Sequence, residues 1–209
     1  MKRWFRSNPE PAPPPANQAA ADLPGRLKLL EREADEARLG FRGTPFNRAG
    51  DLCMQAKDTE RALTYYGRAI DAYLHDGHPE LARGVAQKLI RVHPNAVRTY
   101  CTLTWLDLGL GYLADARTHV GGYVAAARRA GREDLAIPQV HKMAKTVTDH
   151  GFLAAAATAL ADLGDRRGAD RLRETIAPEE AKAQSQDDET RERCFEAARS
   201  SGRQRAASD

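Results

Sequence analysis

The chain has few aromatic residues and no strong excess of either charge. Aromatic residues make up 6% of its 209 residues, which suits an alanine-rich helical protein better than a β-sandwich. The formal net charge is only +3. We therefore do not expect a nucleic-acid partner, since a dedicated nucleic-acid-binding domain usually carries a strong basic stripe.

Cysteines and long apolar runs are also scarce. Cys53, Cys101 and Cys194 are far apart and form no CxxC or Cys/His cluster, so neither a disulfide framework nor a structural zinc site is predicted. We expect free thiols in a reducing compartment and predict a cytoplasmic protein. No apolar run approaches the roughly eighteen residues of a membrane span. The prolines from Pro9 to Pro15 stand where a signal peptide would have its apolar segment.

The signatures of catalysis and metal binding are missing. The sequence contains no GxSxG, HExxH, GxxxxGK[ST] or dinucleotide-binding motif. His75-Asp76-Gly77-His78 brings two imidazoles near a carboxylate, but a metal site needs three or four convergent ligands. We interpret these residues as the end of a helix in an exposed turn, and His119 and His141 as isolated structural or surface groups. The prediction is no enzyme, no cofactor and no metal.

One residue spacing is present three times. A large residue and a small one lie on one segment, and an alanine follows sixteen residues after the first position, as expected where the second helix of a hairpin crosses the first. The three copies are Phe46-x2-Ala49-Gly50-x2-Cys53 with Ala62-x3-Tyr66-x2-Ala69, Tyr100-x2-Leu103-Thr104-x2-Asp107 with Ala116-x3-Val120, and Leu153-x2-Ala156-Ala157-x2-Leu160 with Ala169-x3-Arg173.

This pattern resembles the tetratricopeptide repeat, which has an aromatic residue, Leu-Gly and Tyr on one helix and Ala, an aromatic residue, Ala and Pro on the next. The copies start at residues 46, 100 and 153, so each interval accommodates three helices instead of the two of a regular array. The prediction is an all-α, tetratricopeptide-like superhelix of about seven to nine helices. The resemblance implies a concave groove that holds a peptide or helix of another protein.

Composition divides the chain into three regions. Residues 1–21 are a Pro-rich lead that we expect to be disordered, residues 22–176 form the helical repeat domain, and residues 177–209 are a charged, flexible tail. Asn95 is predicted to cap one helix, and Asp58 or Thr59 another. Pro138 is expected to interrupt or begin a helix between Glu133 and His150.

The residues between the packing positions of the leading helices are predicted to face the partner. Tryptophan and arginine contribute much binding energy per side chain, so Trp105 would be the apolar anchor. The alternative for Trp105 is a place in the core between repeats. The predicted partner-binding residues are Asn47, Arg48, Asp51, Arg98, Cys101 and Trp105.

The favoured function is a non-catalytic scaffold or adaptor that binds another protein. One alternative is a nucleic-acid-associated regulator that uses a basic patch of the C-terminal half. Another is a self-assembling subunit that stacks through an uncapped repeat end, and the sequence leaves the oligomeric state open. The start of the chain, residues 2–6, combines cations with Trp4 and Phe5 and could make weak membrane contact. The arginines of the basic patch are Arg128, Arg129, Arg132, Arg166, Arg167, Arg171 and Arg173.

Overall fold

The computed structural model describes residues 22–37 and 41–176. The predicted lead and tail, residues 1–21 and 177–209, lie outside the described residues. Every regular element of the described part is a helix, which confirms the all-α prediction. Eight helices have both ends described and a ninth begins at residue 166, within the predicted range of seven to nine. The chain divides into two compact units between Pro94 and Asn95, unit 1 and unit 2.

Unit 1 contains the first four helices. Their ends follow local sequence signals, as at Asp58, whose side chain accepts a hydrogen bond from the backbone N–H of Arg61 at 3.1 Å and caps the third helix. Pro79 begins the fourth helix, where its missing N–H costs no internal hydrogen bond. The helices are α1 (Leu23–Glu36), α2 (Gly43–Gln55), α3 (Thr59–His75) and α4 (Pro79–Val92).

Two glycine–tyrosine contacts set the register of the α2–α3 hairpin. A Cβ at Gly50 would lie 2.5 Å from the Tyr66 ring, and a Cβ at Gly43 would lie 2.5 Å from the Tyr73 ring. Tyrosines that follow later on α3 therefore meet glycines that come earlier on α2, so the two helices are antiparallel. The alanine predicted at the crossing, Ala62, is fully buried. The large-against-small pattern seen in the sequence is the packing of this hairpin.

Helix α1 packs on the α2–α3 hairpin through apolar residues and polar contacts. Leu27, Leu30 and Ala34 are buried along its inner face. Glu31 accepts hydrogen bonds from the Tyr65 hydroxyl at 2.9 Å and from Arg68 at 3.1 Å. Burial raises the pKa of Tyr65 to about 12, and the hydrogen bond to Glu31 adds to the rise. The hydroxyl therefore remains a donor to Glu31 at neutral pH.

Unit 2 contains the remaining helices. Their bounds are α5 (Val97–Leu110), α6 (Leu113–Arg129), α7 (Glu133–Thr146), α8 (His150–Asp162) and α9, which covers residues 166–176 up to the last described residue. None of the helices within the described ranges of either unit is long and apolar enough to cross a membrane.

The second and third copies of the spacing form the hairpins α5–α6 and α8–α9. A Cβ at Gly122 of α6 would meet the Tyr100 ring of α5, a large-against-small contact in which the two helices exchange the roles they have in unit 1. The alanines at the crossing positions, Ala116 and Ala169, are fully buried. The third copy departs at its last position, because Arg173 is exposed and pairs with Asp170 on its own helix.

Several boundaries differ from the sequence prediction. Asn95 does not cap α5, whose N-cap is Ala96 without a side-chain hydrogen bond. Pro138 neither interrupts nor begins α7, which passes through it and ends at Thr146 instead of His150. The Asp149 side chain accepts a hydrogen bond from the N–H of Phe152 at 2.6 Å, and this cap begins α8 at His150. Residues 147–149 therefore form a turn between the two helices, and His150 belongs to α8.

Candidate protein-binding site

In unit 1 a lysine from α4 joins two of the predicted partner-binding residues on α2. The ammonium group of Lys88 donates to Asn47 Oδ1 at 3.0 Å and to both carboxylate oxygens of Asp51, at 2.7 and 3.0 Å. Asp51 also accepts a hydrogen bond from the Tyr66 hydroxyl at 2.7 Å. We call Asn47, Asp51, Tyr66 and Lys88 the α2–α4 polar cluster.

The α2–α4 polar cluster is both fixed and accessible. The Lys88 and Asp51 side chains are 35% and 42% exposed, while Tyr66 is buried. The Lys88 ammonium group lies over the face of the Tyr66 ring, 5.4 Å from its centre, and the two are attracted by a cation–π interaction. Burial raises the pKa of Tyr66, and the hydrogen bond to Asp51 raises it further, so the phenol stays protonated and orients the carboxylate. Such a cluster can offer hydrogen-bonding groups at set positions to a polar ligand.

Arg48 is not part of this cluster. Its guanidinium makes an exposed ion pair with Glu33 of α1 at 3.3 Å. It lines a cleft of about 260 Å³ between α1 and α2, to which Leu29, Leu52 and Asp51 also contribute. Asp51 is therefore the residue that the cleft and the α2–α4 polar cluster share, whereas Asn47 and Arg48 contact different helices.

The three predicted residues of unit 2 all lie on α5. Trp105 and Cys101 are half-buried and pack against the core of unit 2, while Arg98 is exposed near the start of the helix. Burial raises the pKa of the Cys101 thiol, and a hydrogen bond with the Tyr123 hydroxyl partly offsets this. The Cys101 thiol therefore contributes to packing. The exposed part of the Trp105 side chain is the surface that a partner could contact.

Sequence reasoning missed Lys88 and a buried Asp–His pair in unit 2. Asp107 has a side chain with no exposure and lies 2.5 Å from His119 Nδ1. Its position in the repeat corresponds to that of the apolar Cys53, and a carboxylate at a core position requires a partner. That mismatch could have identified the pair. His119 and His141 are thus not isolated, since His141 likewise pairs with Asp165 at 2.7 Å.

The histidine-rich turn of unit 1 exposes His75 and Gly77 as predicted, but it buries the Asp76 side chain. The Asp76 side chain has no exposed area and accepts a hydrogen bond from Arg42 at 2.6 Å. It joins the start of α2 to the end of α3, so its role is structural. Among residues 22–37 and 41–176, no three His, Cys, Asp or Glu side chains are grouped as metal ligands.

These features define an all-α helical-repeat protein whose hairpins have the tetratricopeptide-like arrangement of large and small residues. Two solved structures similar in fold hold the nearly identical TPR-like repeats of a candidate kinesin light chain from Podosopora anserina, one of them a point variant. Each shares 14% identity and covers 79% of this chain and 98% of its own, with TM-scores of 0.36 and 0.35. No family model and no curated protein matches the chain.

Proposed function

We propose that the protein is a non-catalytic scaffold or adaptor that holds a peptide or helix of a partner protein in a concave groove. The α2–α4 polar cluster carries this proposal. Lys88 satisfies two α2 acceptors at once, yet more than a third of the Asp51 side chain stays accessible. An ion pair at this exposure contributes little to stability, so its accessible polar groups are available to a ligand at little cost to the fold.

The chemistry of the cluster fits a peptide backbone. Asn47 uses its carbonyl oxygen for Lys88, and its amide group donates to none of the described residues. The amide N–H groups of Asn47 can donate to a carbonyl of a bound chain. The exposed carboxylate oxygens of Asp51 can accept from one of its backbone N–H groups. Helices hold these groups at fixed spacing, so less entropy is lost on binding than from a loop.

In unit 2, taken by itself, we propose Trp105 and Arg98 as the apolar and charged contacts with a partner. Tryptophan and arginine are the side chains that most often dominate a protein interface. A cytoplasmic location is also part of the proposal, with which the free thiols of Cys53 and Cys101 are compatible.

Asn47→Ala tests this function with little risk to the fold, because the change removes one surface hydrogen bond to Lys88. We expect affinity capture from native-cell lysate to retain a protein with wild type and to lose most of it with Asn47→Ala. Thr64→Ala is the matched control, since Thr64 is exposed on α3 and bonds only to its own helix among the described residues. Equal retention by wild type and Asn47→Ala, at equal helicity by circular dichroism, would refute the role of the cluster.

A further inference from the structure

A cleft of about 660 Å³ separates α7 from α9 in unit 2. His141, Lys142 and Lys145 line it from α7, and Gly168, Arg171 and Leu172 line it from α9. The hydrogen bond from His141 to Asp165 at 2.7 Å joins the two helices at one end. Gly168 has no side chain there, and an added Cβ would lie 2.7 Å from the His141 ring, so the closed end of the cleft has no room for a larger residue.

The cleft is positively charged. Lys142, Lys145 and Arg171 are exposed, and none of them forms an ion pair with the described part of the chain. None of the described residues that line the cleft is a carboxylate. The nearby Asp165 accepts a hydrogen bond from His141, which lowers the pKa of its carboxyl group, and the charge of Arg171 lowers this pKa to a smaller extent. Three cations on facing walls repel one another, so an anionic ligand that enters the cleft relieves this repulsion.

A run of acidic residues follows α9 in the sequence. Residues 177–189 contain five carboxylates and a single cation, Lys182. The carboxylates are Glu179, Glu180, Asp187, Asp188 and Glu189. We call residues 179–189 the acidic stretch.

The chain length allows the acidic stretch to return to the cleft. Helix α8 is joined to α7 and to α9 by three-residue turns, so α7 and α9 run in the same direction. Lys145 and Thr175 therefore lie at the end of the cleft nearest the last described residue, Ile176. Three residues can span at most about 10 Å, so the chain length allows Glu179 to reach this end. The lining covers about two helical turns, roughly 11 Å, so Asp187 to Glu189 can reach Lys142 and Arg171.

We propose that the acidic stretch of the same chain binds in the cleft between α7 and α9, with its carboxylates paired to Lys142, Lys145 and Arg171. Each such pair is weak by itself at a surface. A short connection raises the effective concentration of the stretch to about the millimolar range, which favours the chain's own segment over a separate ligand. An acidic ligand from outside must then displace the stretch before it can enter the cleft.

Carbodiimide cross-linking of the full chain tests the proposal, because this reagent joins a lysine to a carboxylate without a spacer. An equal mixture of ¹⁴N- and ¹⁵N-labelled protein distinguishes links within one chain from links between chains. We expect mass spectrometry to find links from Lys142 or Lys145 to the acidic stretch within single chains. These links should be lost at about 1 M salt, where the screening length falls to about 3 Å.

Arg171→Gln should reduce the links by removing one cation from the cleft. Arg173→Gln is the matched control, since Arg173 lies on the same helix but is exposed and paired with Asp170. The exposed lysines of unit 1, Lys28 and Lys57, report non-specific reaction. Links between differently labelled chains would overturn the proposal in favour of a second copy. No links from the cleft lysines, or equal links from Lys28 and Lys57, would also overturn it.

Discussion

Phe152→Ala is expected to lower the unfolding free energy of unit 2 by about 3–5 kcal/mol, the usual cost of truncating a fully buried aromatic residue. Phe152 has no exposed area and is the largest fully buried side chain among the described residues. Its backbone N–H donates to the Asp149 side chain that caps α8, and alanine retains this donor, so the expected loss comes from the core. Since domains are stable by about 5–15 kcal/mol, the variant should be near the limit of folding.

Urea unfolding followed by the fluorescence of Trp105, which packs against the core of unit 2, measures this loss. A Trp4→Phe background leaves Trp105 as the single tryptophan, since the chain has 2. Leu135→Ala is the control, because Leu135 is 59% exposed and its truncation should change stability by about 0.5 kcal/mol or less. A loss below about 1 kcal/mol for Phe152→Ala would mean that α8 is not packed as described.

Two neighbouring glycines of α6 should respond to alanine with opposite signs. A Cβ at Gly122 would lie 2.8 Å from Tyr100 Cδ1, with a still closer contact to Cε1, so Gly122→Ala overpacks the α5–α6 hairpin at a cost of about 1–3 kcal/mol. A Cβ at Gly121 meets nothing within 4 Å, so Gly121→Ala should gain about 0.5–1 kcal/mol from the better helix propensity of alanine.

The same Trp105 fluorescence assay measures both glycine variants. Tyr100→Leu removes the ring that Gly122→Ala meets, so the double variant should lose less stability than the two single losses added together. Stabilisation by both alanines would contradict the register of the hairpin, since no ring would then lie over Gly122.

The hairpins were predictable because their signal is local and repeated. Gly50 and Ala62 are small where a facing helix must approach closely, and this requirement leaves a spacing that a single sequence can show. The end of α7 was not predicted, since Pro138 suggested a break while the Asp149 cap determined where α8 begins. Competition between two helix signals depends on packing energies that the sequence pattern does not rank.

The polar contacts were harder to predict than the helices. The position of Asn47 and Asp51 on α2 predicts that they bind a partner, but their contact Lys88 lies on a helix outside the repeated spacing. The repeated spacing predicts only that α2 pairs with α3. It does not predict that α4, the third helix of the interval, contributes Lys88. Arg48 follows Asn47 directly and yet pairs with Glu33 of α1, because successive residues of a helix point about 100° apart.

The most direct test of the central claim, that the protein binds a partner protein, is affinity capture with wild type, Trp105→Ala and Leu135→Ala at moderate salt. Both variants remove an apolar side chain from unit 2, and circular dichroism sets the comparison at equal folded fractions. The account predicts a protein that wild type and Leu135→Ala retain and Trp105→Ala loses. Equal retention by all three would make Trp105 a core residue only and would contradict its role in binding.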